Sequence, residues 1–238
     1  MKYLYIAYQY LIALPVMIVV TIVAALVCIV GCLFDNRFWG YWPGMIWGRI
    51  FCFMFLIPVK VSGRENIQEG RSYVIVANHQ SFFDIFSLYG YIGIKFKMML
   101  KKEIGQLPFV GWACRSAGFI IVDRESAVNS ARSMKEAEKR LTDGMSLIVF
   151  PEGTRTRNGQ MGRFKRGAFQ IAKDLDLEIL PITLNGCFET MPSGSWHVNR
   201  HPISITIHKA VSIEPDDSDM RALADRVAGI IESALETK

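Results

Sequence analysis

The segment SYVIVANHQSFFD, residues 72–84, joins a short apolar run to the start of a helical pattern. Its first part, Ser72–Ala77, is rich in β-branched side chains and predicts a buried strand. The apolar spacing over Ser81–Tyr91 predicts a helix. Asn78, His79 and Gln80 lie between the two. The segment therefore predicts a strand–turn–helix unit with a histidine at the end of the strand.

The same alternation continues along the chain. Further strands are predicted at Phe96–Leu100, Phe119–Val122, Leu147–Phe150, Ile179–Leu184 and Ile203–His208. Further helices are predicted at Ser126–Leu141, Lys165–Leu175 and Ser218–Glu236. Strands that alternate with helices favour an α/β fold, a mostly parallel mixed sheet covered by helices. In such a sheet, reactive groups usually lie beyond the carboxyl ends of the strands. The proline at position 181 suggests an edge position or a strand start.

The first part of the chain is strongly apolar, and residues 3–34 contain no charged side chain. At about 1.5 Å rise per residue, even the part after Pro15 is long enough to cross a hydrocarbon core of about 30 Å. The stretch is too long for a signal-peptide core and lacks a clear small-residue cleavage site. We expect it to stay in the mature protein as a membrane-embedded helical segment.

A second apolar stretch, Phe38–Val59, is interrupted by glycines, Pro43 and Arg49. Tryptophan and tyrosine crowd its first half, and both prefer the membrane interface. Arg49 would be costly at the centre of a span. The stretch is a second span, a helix half-sunk in one leaflet, or a buried core helix. We predict N-terminal membrane helices over residues 1–60, as one span, a hairpin or a half-sunk pair, and an α/β domain over residues 61–238.

Charge and cysteine content restrict the class of partner. The net charge of +5 and the pI of about 9.0 favour an anionic partner such as nucleic acid, anionic lipid or a phosphorylated substrate. Since no basic run or nucleic-acid motif occurs, we expect no nucleic acid. The five cysteines include no pair at zinc-ligand spacing. His197 and His201 lie in a Pro-, Gly- and Ser-rich stretch, so we expect no metal site there.

His79 and Asp84 form the first candidate pair, with H-x4-D spacing. Histidine is the usual general base because its reference pKa is near ~6.5. A carboxylate on the other ring nitrogen would fix the tautomer and stabilise the imidazolium. On one helix the two side chains would point about 140° apart, at ~100° per residue. The pair therefore works only if His79 lies in the turn and Asp84 in the first helical turn. The alternative is a first-turn helix acid beside a loop histidine.

The second candidate is FPEGTRTR, residues 150–157, which again follows a predicted strand. Gly153 and Thr154 can offer donors to a phosphate, and Arg155 can grip it in a bidentate fork. Glu152 cannot bind a phosphate directly and is expected to orient Arg155 or the surroundings of His79, or to contact a hydroxyl. Further cations are expected at the same rim: Arg124, Lys101 and Lys165. The alternative interpretations are a solvated basic loop and, for Asp123–Arg124, a surface ion pair.

Four blocks in this order, NHQSFFD (78–84), GFIIVDR (118–124), FPEGTRTR (150–157) and LPITLNG (180–186), resemble those of the glycerolipid acyltransferase family. Within it they look like the 1-acylglycerol-3-phosphate (lysophosphatidate) acyltransferases. The linking stretches KKEIGQLPFVGW (101–112) and RFKRGA (163–168) are also similar to the family. The resemblance covers about residues 60–190, and the joint order and spacing of the blocks make it specific.

The resemblance implies that His79 deprotonates the sn-2 hydroxyl of lysophosphatidate and that Asp84 orients and charge-balances His79. The acceptor's phosphate would be held by Arg124 and by the loop made of Glu152, Gly153, Thr154 and Arg155, helped by Lys101 or Lys165. The donor would be acyl-CoA or acyl-acyl carrier protein, without a metal or cofactor, and the product phosphatidate. The leader would hold the catalytic domain at the lipid bilayer, facing the cytoplasm, at the plasma membrane if the source is bacterial.

Other functions remain open at this point. Another acceptor is possible: glycerol 3-phosphate or a different lysolipid. A lipid hydrolase would need a nucleophilic serine or cysteine near His79, although Gly-x-Ser-x-Gly is absent. A membrane-anchored lipid-phosphate binding protein without catalysis would not need His79 at all.

Overall fold

The computed structural model describes residues 2–122, 144–213 and 219–236. The predicted helix Ser126–Leu141, Arg124 and the predicted helix start at Ser218 lie outside the described residues. The strands within the described residues are β1 (Val59–Ser62), β2 (Val74–Ala77), β3 (Phe96–Lys101), β4 (Ile120–Val122), β5 (Ser146–Val149), β6 (Ile179–Asn185) and β7 (Ile203–Ile207). The described α-helices are α1 (Lys2–Tyr8), α2 (Leu14–Gly31), α3 (Asn36–Trp39), α4 (Trp42–Met54), α5 (Phe83–Tyr91), α6 (Val110–Ser116), α7 (Gly167–Asp174), α8 (Cys187–Thr190) and α9 (Met220–Glu232).

The described strands form one sheet in the order β1-β7-β6-β2-β5-β3-β4. Neighbouring strands run parallel, except that β6 and β7 are antiparallel. The prediction of a mostly parallel mixed sheet covered by helices is confirmed. Strand β1 was not predicted, and it contains residue 60, where we had placed the boundary of the membrane helices.

Both faces of the sheet are covered, as the continuous apolar strands predict. Ile75 and Ala77 of β2 belong to the apolar cluster beneath α2, α4 and α5. Val74 and Val76 point to the opposite face, where they join Phe169 of α7 and other residues of α7 and α9. This alternation follows from the two-residue repeat of a strand. The strand ends at Ala77, directly before Asn78 and His79.

The first helices run on as one continuous helix over Tyr3–Gly31, which is long and apolar enough to cross a membrane. A π-helical turn at Gln9–Ala13 joins α1 to α2 just before Pro15, which cannot donate a backbone hydrogen bond. The buried side chain of Gln9 bonds both the carbonyl and the N–H of Val198. The apolar N-terminal helix is therefore tied to the loop that follows α8.

Helix α4 has 13 residues, so it extends about 20 Å and is shorter than a hydrocarbon core of about 30 Å. It packs closely on α5: a Cβ built on Gly48 would lie 2.5 Å from the carbonyl oxygen of Phe86. Arg49 donates from Nε to the carbonyl of Gly90 at 2.7 Å. Helix α4 thus supports the helix that carries Asp84. Its predicted immersion in the membrane stays a prediction.

Pro181 lies inside the interior strand β6, so the expected edge position or strand start is wrong. The reason is a one-residue bulge in the chain directly after β7, where residues 208–210 lie opposite residues 180–181. The β6–β7 pairing starts at Ile182↔Ile207, whereas the isolated bridge beyond it joins Ile179 to Val211. The missing N–H of proline falls in this interruption, where prolines are tolerated.

Candidate active site

His79 lies in the turn after β2, and Asp84 is the second residue of α5. Nδ1 of His79 lies 2.7 Å from Oδ2 of Asp84. The Asp84 side chain is fully buried, and the His79 side chain is 16% exposed. The H-x4-D spacing allows a working pair only if the histidine lies in the turn and the aspartate in the first helical turn. The structure has this arrangement. An imidazole held in this way keeps its proton on Nδ1 and presents Nε2 as the base.

Backbone groups hold the turn in place around Asp84. Oδ2 of Asp84 also accepts hydrogen bonds from the backbone N–H groups of Gln80 and Ser81, at 2.7 and 2.9 Å. On the other side, the buried amide of Asn78 bonds both the N–H and the carbonyl of Leu184 in β6, at 2.8 and 2.9 Å. The side chains on either side of His79 in the sequence therefore fix the path of the turn between β2 and α5.

The imidazole of His79 stacks on the ring of Phe150, with centroids 4.0 Å apart and planes 14° apart. Phe150 directly follows β5, the parallel neighbour of β2. Within the described residues, Nε2 of His79 makes no hydrogen bond. The ring is thus fixed by Asp84 at one edge and by Phe150 on one face. Sequence reasoning gave Phe150 no role, because its contact with His79 depends on which strands are neighbours.

The carboxylate of Glu152 joins two loops. Oε1 accepts from the backbone N–H of His79 at 2.6 Å, and Oε2 accepts from the N–H of Gly162 at 2.7 Å. Burial raises the pKa of Glu152, and these two hydrogen bonds oppose that rise. The Thr156 N–H donates to the carbonyl of His79 at 2.9 Å. Both carboxylate oxygens of Glu152 therefore accept backbone hydrogen bonds. This arrangement corresponds to one of the predicted roles of Glu152, orienting the surroundings of His79.

A cleft of about 740 Å³ opens in front of His79. Apolar side chains from α5, β3, the turn after β3, β5 and α7 line much of it: Ile85, Met98, Leu100, Ile104, Ile148 and Ile171. Its rim has four cationic side chains, those of Lys101, Arg155, Arg157 and Lys165. An apolar interior with a cationic rim suits a ligand that combines a hydrocarbon chain with an anionic group.

The rim residues predicted from FPEGTRTR are placed by a tight turn. Gly153 has a φ of 79°, which favours glycine. Thr154 is exposed at the cleft. The guanidinium of Arg155 lies over the ring of Phe82, 3.8 Å from its centroid, and this contact orients a flat cation. Lys101 and Lys165 reach the same cleft from β3 and from the residues before α7. The structure thus gathers the predicted cations it describes; Arg124 lies outside the described residues.

Within residues 2–122, 144–213 and 219–236, no serine or cysteine is hydrogen-bonded to His79 as the hydrolase alternative would require. The buried hydroxyl of Ser81 donates to the carbonyl of Met191 at 2.7 Å and accepts from the N–H of Phe83 at 3.2 Å. Cys187 is fully buried, and burial raises the pKa of its thiol well above the usual range. Ser193 lines the cleft without a hydrogen bond to His79 in the described part of the chain.

The chain belongs to the acyltransferase family, whose model matches residues 58–185. The family resemblance predicted from the motif blocks is therefore confirmed. The chain is 34% identical over 183 residues to the chloroplastic 1-acyl-sn-glycerol-3-phosphate acyltransferase of Arabidopsis thaliana, covering 75% of this chain and 51% of that protein. A 1-acyl-sn-glycerol-3-phosphate acyltransferase of Chlamydomonas reinhardtii is 30% identical over 236 residues, covering 98% of this chain and 68% of that one. The chain thus spans about half to two thirds of the length of these curated relatives.

A solved structure is similar over nearly the whole chain. It is the crystal structure of the 1-acyl-sn-glycerophosphate acyltransferase PlsC from Thermotoga maritima, with a TM-score of 0.75 and 25% sequence identity. The match covers 94% of this chain and 98% of that chain. The likeness therefore includes the apolar N-terminal helices as well as the sheet.

Proposed function

We propose that this protein is a 1-acylglycerol-3-phosphate O-acyltransferase. It transfers a fatty acyl group from an acyl thioester to the sn-2 hydroxyl of lysophosphatidate and forms phosphatidate, a step of phospholipid biosynthesis. The observation that carries the proposal is the His79–Asp84 pair, 2.7 Å apart, at the mouth of an apolar cleft with a cationic rim. The family and the named activities of its relatives support the same reaction.

His79 acts as the general base in this proposal. Its Nδ1–H donates to Asp84, so the lone pair on Nε2 accepts the proton of the acceptor hydroxyl. As this proton leaves, the hydroxyl oxygen attacks the carbonyl carbon of the thioester. The buried carboxylate of Asp84 stabilises the imidazolium that forms.

The tetrahedral intermediate then collapses. The new ester bond stays, the carbon–sulfur bond breaks, and the sulfur takes the proton back from Nε2. The product is an ester and a free thiol, with His79 neutral again. No covalent acyl-enzyme is needed, in keeping with the absence of a serine or cysteine bonded to His79 in the described residues.

We assign the acceptor's phosphate to the cationic rim, with Arg155 as the main contact and Lys101 and Lys165 beside it. Gly153 and Thr154 belong to the turn that presents Arg155. The phosphate contact expected for Arg124 stays a prediction. Glu152 holds the loop instead of contacting the phosphate, because its two oxygens already accept backbone hydrogen bonds. The acyl chain of the acceptor would lie along the apolar part of the cleft.

The protein is proposed to work at a lipid bilayer, where both the acceptor and the product reside. The helix Tyr3–Gly31 supports this placement because it is long and apolar enough to cross a membrane. The donor is acyl-CoA or acyl-acyl carrier protein. We keep the orientation with the catalytic domain facing the cytoplasm as a prediction.

The test is a direct assay of thiol release. The purified protein in detergent receives lysophosphatidate and an acyl thioester, and phosphatidate is measured alongside the free thiol. His79→Gln is expected to lower the rate by at least about 10²-fold, the scale of general-base catalysis. His201→Gln removes a histidine that does not line the cleft and serves as the matched control. A wild-type protein that acylates only glycerol 3-phosphate or another lysolipid would overturn the assigned acceptor. Equal rates for wild type and His79→Gln would overturn the mechanism.

A further inference from the structure

A second hollow, of about 480 Å³, lies inside the loop that runs from Glu152 to Arg163. Three arginines line it: Arg155, Arg157 and Arg163. Arg155 and Arg157 also line the main cleft, whereas Arg163 lines only the hollow. The reaction proposed above uses the main cleft and gives the hollow no role.

Hydrogen bonds give the loop around this hollow a fixed shape. The Gly162 N–H donates to Oε2 of Glu152 at 2.7 Å, and this bond closes the loop at its base. The Thr156 N–H donates to the carbonyl of His79. The Thr156 hydroxyl donates to Oδ1 of Asn158 at 2.9 Å, and this oxygen also accepts from the Gln160 N–H at 3.1 Å. A loop ordered in this way can hold its arginines in one arrangement, close to the backbone of His79.

The charges of this loop are not balanced within the described chain. No acidic residue occurs between Gly153 and Lys173 in the sequence. Arg157 and Arg163 are exposed and make no ion pair with any residue that the structure describes. The carboxylate of Glu152 also lines the hollow, but its oxygens are held by two N–H groups. Clustered cations in a concave surface create a positive potential that attracts an anionic ligand.

We propose that Arg157 and Arg163 bind the phosphate of the donor's phosphopantetheine arm. This inference rests on the proposed function. The main cleft supplies Arg155, Lys101 and Lys165 to the acceptor's phosphate, so a second anion needs a second cationic site. The donor must also bring its thioester carbonyl to His79. The hollow has a fixed position relative to His79, because its loop is hydrogen-bonded to His79 at both the N–H and the carbonyl. A phosphate held there would anchor one end of the pantetheine arm, whose other end carries the thioester.

The same phosphate chemistry comes from two donors. Acyl-CoA carries a diphosphate next to its pantetheine arm, and acyl-acyl carrier protein carries a phosphodiester at the same place. The site is defined by this shared group, so a donor of either kind fits it. A thioester of N-acetylcysteamine carries the same acyl group without any phosphate and does not need the site.

The discriminating variant is Arg163→Gln, since this side chain lines only the hollow. The donor's KM is expected to rise about three- to tenfold, the scale of one charge-assisted contact discounted for exposure. The KM for lysophosphatidate and the turnover of the N-acetylcysteamine thioester are expected to stay within about twofold of wild type. Arg166→Gln is the matched control, because it removes one exposed charge from the same segment without lining either cavity.

Acyl-CoA and acyl-acyl carrier protein are assayed in separate arms, and a raised KM in either arm supports the site. An unchanged KM for both donors overturns the proposal. So does an equal rise in Arg166→Gln, which would indicate a general charge effect. A rise in the acceptor's KM would reassign the hollow to lysophosphatidate. Weaker binding to phosphatidate-containing vesicles with an unchanged donor KM would reassign it to membrane headgroups, and both outcomes contradict the inference.

Direct binding separates this inference from the proposed function. If the wild type fails to acylate lysophosphatidate, the proposed acceptor is wrong, but the donor site is still measurable. Calorimetry with coenzyme A and with the phosphopantetheinylated carrier protein compares wild type with Arg163→Gln. Binding of at least one of them is expected to weaken by the same three- to tenfold. If wild type and Arg163→Gln bind coenzyme A with equal affinity and the carrier protein with equal affinity, the donor site is wrong. The proposed function is not affected by that result.

Discussion

Oε1 of Glu152 accepts a hydrogen bond from the backbone N–H of His79 at 2.6 Å, although 73 positions separate the two residues. Its other oxygen accepts from Gly162. One carboxylate thus sets the position of the proposed base and closes the loop that presents the arginines. His79, the proposed base, and the loop that carries the arginines are therefore one hydrogen-bonded unit.

Glu152→Gln is expected to lower kcat more than it raises the KM of either substrate. An amide offers one acceptor oxygen where two backbone N–H groups need acceptors. An unsatisfied buried donor costs about 1–3 kcal/mol, so thermal stability should fall as well. Steady-state kinetics and thermal unfolding measure the two effects. Glu103→Gln, at an exposed glutamate, is the control. If Glu152→Gln keeps the wild-type kcat and the wild-type thermal stability, Glu152 does not position His79.

The acid side of the pH–rate profile should also depend on Glu152. Burial raises the pKa of this carboxyl group, so it takes up a proton at a higher pH than an ordinary glutamate does. A protonated oxygen no longer accepts the backbone N–H, and kcat should fall as the pH drops through that raised pKa. Comparing the profiles of wild type and Glu152→Gln tests this, because the variant lacks the titrating group. If kcat falls at the same acid pH in wild type and in Glu152→Gln, protonation of Glu152 does not cause the loss of activity.

Asp84→Asn is expected to lower kcat by about 10²- to 10⁴-fold. An amide at position 84 keeps an oxygen that can accept from Gln80, Ser81 and His79, but it lacks the negative charge that stabilises the imidazolium. Circular dichroism and thermal unfolding should therefore remain close to wild type while thiol release collapses. A variant that keeps more than about a tenth of the wild-type kcat would show that Asp84 is a structural helix acid only.

Phe150→Leu is expected to lower kcat by up to about tenfold, since a ring–ring contact contributes about 0.5–1.5 kcal/mol. The leucine keeps an apolar side chain beneath the imidazole but loses the flat surface that lies 4.0 Å from it. Phe150→Tyr keeps the ring and is the matched variant, with a kcat near wild type. If the tyrosine and leucine variants lose activity equally, stacking is not what orients His79.

Arg155→Lys is expected to raise the KM for lysophosphatidate about tenfold, on the scale of a hydrogen bond to a charged group. Lysine keeps the charge but loses the bidentate fork and the flat contact with Phe82. Turnover of a monoacylglycerol, which lacks the phosphate, should change far less. An equal loss with both acceptors would indicate that Arg155 serves the structure of the loop and not the phosphate.

His208→Gln is expected to reduce the loss of stability at acid pH. Burial lowers the pKa of His208, whose Nε2 lies 2.8 Å from the hydroxyl of Thr183. The unfolded chain binds this proton first, so wild-type stability falls as the pH drops from about 6.5 through the lower folded pKa. Glutamine keeps a donor to Thr183 but cannot titrate. Denaturant unfolding between about pH 7.5 and 5 measures how the free energy of unfolding changes with pH in wild type and in His208→Gln. An equal change in both proteins would show that His208 is not the titrating group.

Local patterns predicted the central strands to within a few residues. Continuous apolar runs rich in β-branched residues identify β2, β5 and β6, because these strands are buried along most of their length. Strand β1 was missed, since its four residues follow directly on a long apolar helix pattern. The interior position of Pro181 was also missed. It depends on a bulge in the chain directly after β7, which is distant from Pro181 in the sequence and leaves no local signal.

The sequence by itself determined the His79–Asp84 spacing and the family and proposed the candidate site residues, because each is carried by a short segment. Tertiary structure alone decided that Phe150 stacks on His79 and that Glu152 bonds its backbone. Both contacts require β5 to lie beside β2. Strand order is not readable from strands that share the same apolar composition, since any of them could pair with β2. Packing of the whole sheet selects one order, and that order brings the loop after β5 to His79.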